Sequence, residues 1–199
     1  FAGSFDGNGA TIVGLYANEG WGHAAFIPVL NGDAIVKNVK FEKAYVAANT
    51  VNEHQGCAVV VGRTNSFAIT IDNVAVVDST VNKSNTNGSG AALLIGNAYG
   101  VASTISVNNI LTYGNTITCG GGPASVVIGN YYDGTDAARV SVRNVISADD
   151  ISVVINHYQL SSGERNCVMQ NIYSAAAAPG TMNFGNAVFN VSADALKGA

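Results

Sequence analysis

Val36-Lys37-Asn38-Val39, Ile71-Asp72-Asn73-Val74, Val107-Asn108-Asn109-Ile110 and Val142-Arg143-Asn144-Val145 are four copies of one pattern, apolar-x-Asn-apolar. Met169-Gln170-Asn171-Ile172 is a weaker fifth, and successive asparagines lie 35, 36, 35 and 27 residues apart. A second pattern runs beside it: Val59-Val60-Val61-Gly62, Leu93-Leu94-Ile95-Gly96, Val126-Val127-Ile128-Gly129 and Val153-Val154-Ile155-Asn156, at intervals of 34, 33 and 27. The two intervals shorten together at the end, which marks a structural unit repeated along the chain. Between the motifs stand short β-branched runs such as Asn73 to Val77, separated by turn-rich stretches such as Asn82 to Gly90 and Gly120 to Pro123. Short strands without intervening helices cannot build a βαβ sheet. Stacked as coils, each strand instead pairs with its own copy above and below. The sequence therefore predicts an all-β, right-handed parallel β-helix of about five to six coils, a rod about 25–30 Å long.

The asparagines have a place in such a coil. Asn tolerates left-handed backbone better than other residues with a β-carbon, and its amide both donates and accepts. Asn38, Asn73, Asn109, Asn144 and Asn171 are thus expected to turn the same corner in successive coils and to bond to one another as a ladder.

Composition agrees and excludes several classes. The 199 residues are 48% hydrophobic but only 11% charged, with 23 Gly and a net charge of −4. That balance disfavours disorder, and the lack of a basic stripe disfavours nucleic acid as a partner. No uninterrupted apolar run is long enough to insert in a membrane. Cys57, Cys119 and Cys167 stand alone, without zinc-ligand spacing, and read as small buried hydrophobes. No metal or other cofactor is expected. The chain starts at Phe1 and stops at Ala199 without an obvious cap, and we expect 1–199 to be a single β-helix module of a larger multidomain protein.

The opening Phe1-Ala2-Gly3-Ser4-Phe5-Asp6-Gly7-Asn8-Gly9-Ala10-Thr11-Ile12-Val13-Gly14-Leu15 resembles the signature that opens the β-helical region of GLUG-motif repeat proteins, and Gly90-Ala91-Ala92-Leu93-Leu94-Ile95-Gly96 resembles their glycine-containing repeat. Family members are bacterial surface or secreted proteins, many of them adhesin-like, and related repeats precede the catalytic domain of IgA-specific zinc metallopeptidases. The resemblance implies an extracellular or cell-surface location, glycans or host surface proteins as partners, and flanking domains on the same chain.

Catalytic chemistry is hard to place. Asp149-Asp150 is the only adjacent acidic pair. A polysaccharide-active β-helix enzyme would need it to converge with a substrate-holding basic residue such as Arg139 or Arg143. The spacing puts Asp149 and Asp150 in a solvated turn after the asparagine strand. His23, His54 and His157 fall at unrelated coil positions. The remaining feature is aromatic: Tyr99, Tyr131-Tyr132 and His157-Tyr158 follow the second motif in three successive units. Aligned on Gly96, Gly129 and Asn156, Tyr131 and Tyr158 share one column and Tyr99 and Tyr132 the next, a candidate ligand-binding strip. Trp21, in a Gly-rich loop, is a weaker candidate. The expected function is a non-enzymatic adhesin-like rod that is structural or binds a ligand or glycan. The alternative is a polysaccharide-active enzyme, or the non-catalytic N-terminal region of a secreted protease or glycan-processing enzyme.

Overall fold

A computed structural model describes residues 1–20, 22–49, 55–84, 90–99, 104–121, 124–133, 139–151, 153–160, 166–176 and 188–190, with the backbone alone for 132–133, 157–160, 166 and 188–190. These residues form eighteen strands and no helix. Sheet A stacks β1 (Gly3–Val13), β4 (Ala34–Glu42), β8 (Ile69–Val77), β12 (Thr104–Tyr113), β15 (Arg139–Ser147), β17 (Asn166–Ser174) and β18 (Val188–Asn190) in that order. Sheet B stacks β2 (Tyr16–Glu19), β5 (Tyr45–Ala48), β9 (Thr80–Lys83) and β13 (Thr116–Cys119). Sheet C holds β3 (Ile27–Val29), β7 (Val61–Arg63), β11 (Ile95–Tyr99) and β14 (Ala124–Asp133), with β6 (Cys57–Ala58) and β10 (Ala91–Ala92) beside the start of β14, and β16 (Val153–Leu160) beyond it. Each strand pairs in parallel with its counterpart one coil on, so the chain is a parallel β-helix.

About four turns visit all three sheets, fewer than the five to six expected. Sheet B ends at β13 among the described residues, while sheets A and C continue. The shortened repeat explains this: only five residues separate β15 from β16, too few for a sheet B strand and its two corners.

The asparagines turn the corner as expected. Asn38, Asn73, Asn109, Asn144 and Asn171 all have φ between +53° and +56°. Their effect is visible in the burial of the flanking residues. Val36 and Val39 both point inward, as do Val107 and Ile110, a spacing of three where a straight strand would require two. The left-handed residue takes up the extra position and bends each sheet A strand into two arms that face a common core. The amides lie on the outside of this corner. Asn73 Nδ2 donates to Asn38 Oδ1 at 2.9 Å, Asn144 Nδ2 to Asn109 Oδ1 at 3.1 Å, and Asn171 Nδ2 to Asn144 Oδ1 at 2.9 Å. The ladder also reaches into the neighbouring column: Asn109 Nδ2 donates to Asp72 Oδ1 at 2.9 Å rather than to Asn73, and Asn144 Nδ2 donates to Asn108 Oδ1 at 2.9 Å as well as to Asn109. At its lower end Asn38 donates to Asp6 Oδ1 at 3.0 Å, and Lys37 pairs with the same carboxylate at 3.3 Å.

The glycines of the second motif have a steric cause. Val59-Val60, Leu93-Leu94 and Val126-Val127 are all buried at consecutive positions, so the chain curls inward there instead of alternating. The curl brings backbone against backbone. A Cβ on Gly129 would stand 2.7 Å from the Gly90 carbonyl carbon and 2.8 Å from the Ala91 nitrogen. In the fourth copy Asn156 replaces glycine, and its Nδ2 donates to the Gly129 carbonyl at 2.9 Å.

Inside, valine and isoleucine fill continuous columns, exemplified by Val36, Ile71, Val107, Val142 and Met169 in register. Phe5, Phe26 and Phe41 meet edge to face, with centroids 5.0 and 5.2 Å apart, and fill the first coils. The column that passes through Phe41 and Val76 continues to Thr112, Ser147 and Ser174, all buried, and Thr112 Oγ1 donates to Ser147 Oγ at 3.0 Å.

Two stability outcomes follow from the corner and the curl. Asn144→Ala should cost about 1–3 kcal/mol, because alanine is strained at positive φ and the ladder bonds are lost; Asn144→Gly should cost about half as much. Gly129→Ala should cost about 2 kcal/mol or more through overpacking against backbone that cannot move aside. Urea denaturation followed by far-UV circular dichroism measures all three, and equal losses for the two Asn144 variants would contradict the conformational explanation.

Candidate functional site

The tyrosine strip is only partly as the sequence implied. Tyr99 and Tyr132 are direct partners on β11 and β14, as expected. Tyr131 is not paired with Tyr158. The register shifts by one residue on both sides of Ile128, and Tyr131 opposes His157 instead. Tyr131 is also only 7% exposed and belongs to the hydrophobic core, so its ring is not offered to a ligand. Its inward position follows from the curl at Val126-Val127, which changes which residues of the strand face the core. The side chains of Tyr132, His157 and Tyr158 lie outside the described residues, as do Trp21 and His54 altogether.

Sheet C instead assembles a group that sequence reasoning missed. Arg63, Asn97 and Asn130 occupy one register position on β7, β11 and β14. Two residues further along β11 and β14 stand Tyr99 and Tyr132, paired with each other in register. The Arg63 guanidinium lies over the Tyr99 ring, 4.3 Å from its centroid, a cation–π contact that holds the half-buried ring in place. Asn97 is fully buried, yet neither its Oδ1 nor its Nδ2 has a hydrogen-bond partner among the described residues; Asn130 Oδ1 and Thr64 Oγ1 share that condition. Each such group costs about 1–3 kcal/mol. These atoms are buried, and among the described side chains of the group only Arg63 and Tyr99 are partly exposed to a ligand.

Asp149 has a different task. It is buried rather than solvated, at 3% exposure. Its Oδ1 accepts from the Asn115 backbone N–H at 2.7 Å and its Oδ2 from Asn115 Nδ2 at 3.0 Å. Asn115 Oδ1 in turn accepts from Ser79 N–H at 2.9 Å, and Ser79 Oγ accepts from Ala44 N–H at 3.0 Å. This relay staples the corner between sheets A and B across successive coils. Asp150 is exposed. Arg143 donates through Nε to Gln170 at 3.0 Å, and Arg139 stands at the far end of β15 from the acidic pair. Among the described residues no group of three or more His, Cys, Asp or Glu could hold a metal ion.

His23 ties the first coil to this sheet. Its Nδ1 accepts from the Gly56 backbone N–H at 3.0 Å, and burial, aided by the positive charge of Arg63, pushes its pKa down to about 4. No protein-family model, no curated protein and no solved structure matches the chain.

Protonating His23 would break its bond to Gly56. Because its pKa is lower folded than unfolded, the unfolded chain takes up the proton first. The stabilising bond is therefore fully present above about pH 6.5 and is lost as pH falls towards about 4. The melting temperature of the wild-type chain should fall more steeply across that window than that of His23→Gln, whose amide oxygen can accept the same bond. Parallel curves would show that His23 does not titrate in this way.

Proposed function

We propose that this chain is a non-enzymatic, adhesin-like rod of a bacterial cell-surface or secreted protein, and that it binds glycans along sheet C around Tyr99. One observation carries the reading: the guanidinium of the partly exposed Arg63 lies over the partly exposed Tyr99 ring, 4.3 Å from its centroid. An aromatic ring can pack against the apolar face of a sugar while a guanidinium donates to its hydroxyls. The resemblance of Phe1 to Leu15 to the GLUG signature supports the same location and class. For a polysaccharide-active enzyme Asp149 is the wrong kind of group, since both its oxygens are engaged by Asn115.

A glycan array probed with the wild-type chain and with Tyr99→Ala tests the proposal. The variant should keep the wild-type circular dichroism spectrum and bind about tenfold more weakly, the loss of roughly 1.4 kcal/mol expected for an aromatic–sugar contact. Equal binding would remove Tyr99 from the site, and no binding by the wild-type chain would remove glycans. Release of reducing ends from a polysaccharide, abolished in a folded Asp149→Asn variant, would reverse the reading in favour of an enzyme.

A further inference from the structure

The interior of the rod holds a lysine. On β9 burial alternates strictly, with Val81 and Lys83 both fully buried and Thr80 and Asn82 partly exposed, so Lys83 points inward with the core. Its direct partner one coil on is Cys119, the last residue of β13. Paired residues of neighbouring strands sit about 4.8 Å apart and project to the same side, which sets the thiol of Cys119 alongside the lysine stem. A second thiol approaches from another side: Cys57 Sγ lies 3.8 Å from the Val46 carbonyl and 3.9 Å from that of Asn82, the residue before Lys83. The two thiols differ in access. Cys57 is fully buried, while Cys119 is half-buried at the end of its strand.

We propose that Lys83 and Cys119 are an oxidation-triggered cross-linking site, at which a peroxide converts the pair to a sulfenamide that ties the third coil to the fourth. In the first step the Cys119 thiol is oxidised to a sulfenic acid and the peroxide is reduced, hydrogen peroxide giving water. In the second, the lone pair on Lys83 Nζ attacks the sulfur. An S–N bond forms, the S–O bond breaks, and the hydroxyl leaves as water with a proton from the amine. The net change is the loss of two hydrogens from the protein for each hydrogen peroxide consumed, and a thiol reductant reverses it. Burial favours the reaction twice over. It lowers the pKa of Lys83, which enlarges the share of nucleophilic neutral amine, and it pushes the Cys57 thiol up to about 12, which keeps that sulfur unreactive.

The test is to expose the whole chain to hydrogen peroxide and follow it by mass spectrometry. The expected result is a product two hydrogens lighter, digestion to one branched peptide joining the Lys83 and Cys119 segments, and return to the starting mass with dithiothreitol. Cys57→Ser should still form the product; Cys119→Ser and Lys83→Met should not. A Cys57–Cys119 disulfide, lost in Cys57→Ser but retained in Lys83→Met, would overturn the proposal. So would addition of oxygen to Cys119 with no loss of hydrogen. The branched peptide from the wild-type chain decides the question even if Lys83→Met does not fold.

Discussion

The whole rod depends on one backbone conformation, held at the same place in every coil. Asn38, Asn73, Asn109, Asn144 and Asn171 keep a positive φ that most side chains resist. A strand that passes through such a residue bends and changes the parity of its side chains, so both arms can feed one core. Once the bend recurs at a fixed register, everything on either side of it must stack in register too. The exposed amides then add bonds along the corner, but they follow from the geometry more than they cause it. Solvent competes for exposed hydrogen bonds, and each contributes modestly.

This arrangement leaves little polar chemistry uncommitted on the sheet A side. Asp6, Lys37, Asp72 and Asn108 serve the asparagine corner, while Ser79, Asn115 and Asp149 serve the next one. Sheet C differs, because there the chain curls, consecutive residues turn inward, and Arg63 stacks on Tyr99 near two buried asparagines with amide atoms unpartnered among the described residues. The glycan strip proposed around Tyr99 would therefore stand on a support whose corners are stapled.

How much of this was legible in the sequence depends on how local the determining physics is. A left-handed corner is a demand on a single residue, so the asparagine repeat announced both the fold and the ladder. The glycines of the second motif were visible as a pattern, though their reason, contact between Gly129 and the Gly90-Ala91 backbone, needed the third dimension. Side-chain direction was not legible. Alternation fails at each asparagine and again at each curl, so the facing of Tyr131, Asp149 and Lys83 depends on how many parity changes lie upstream. Tyr131 therefore turned out to be core and Asp149 a buried staple. The pairing of Tyr131 with Tyr158 failed for a related reason, since local register shifts on either side of Tyr131 set it against His157. The turn count came out low because that same shortening removes the sheet B strand.

The interior column that runs from Phe41 through Val76 to Thr112, Ser147 and Ser174 gives the rod a direction. In a solenoid each coil is held chiefly by its neighbours, and the strength of that hold scales with the apolar surface they share. Here the shared surface shrinks from a phenylalanine cluster to hydroxyls as the chain proceeds. Along this column the rod is built like a zipper with a heavy end: winding should begin at the aromatic coils and advance towards the serines, and heat or load should open it first at the serine end.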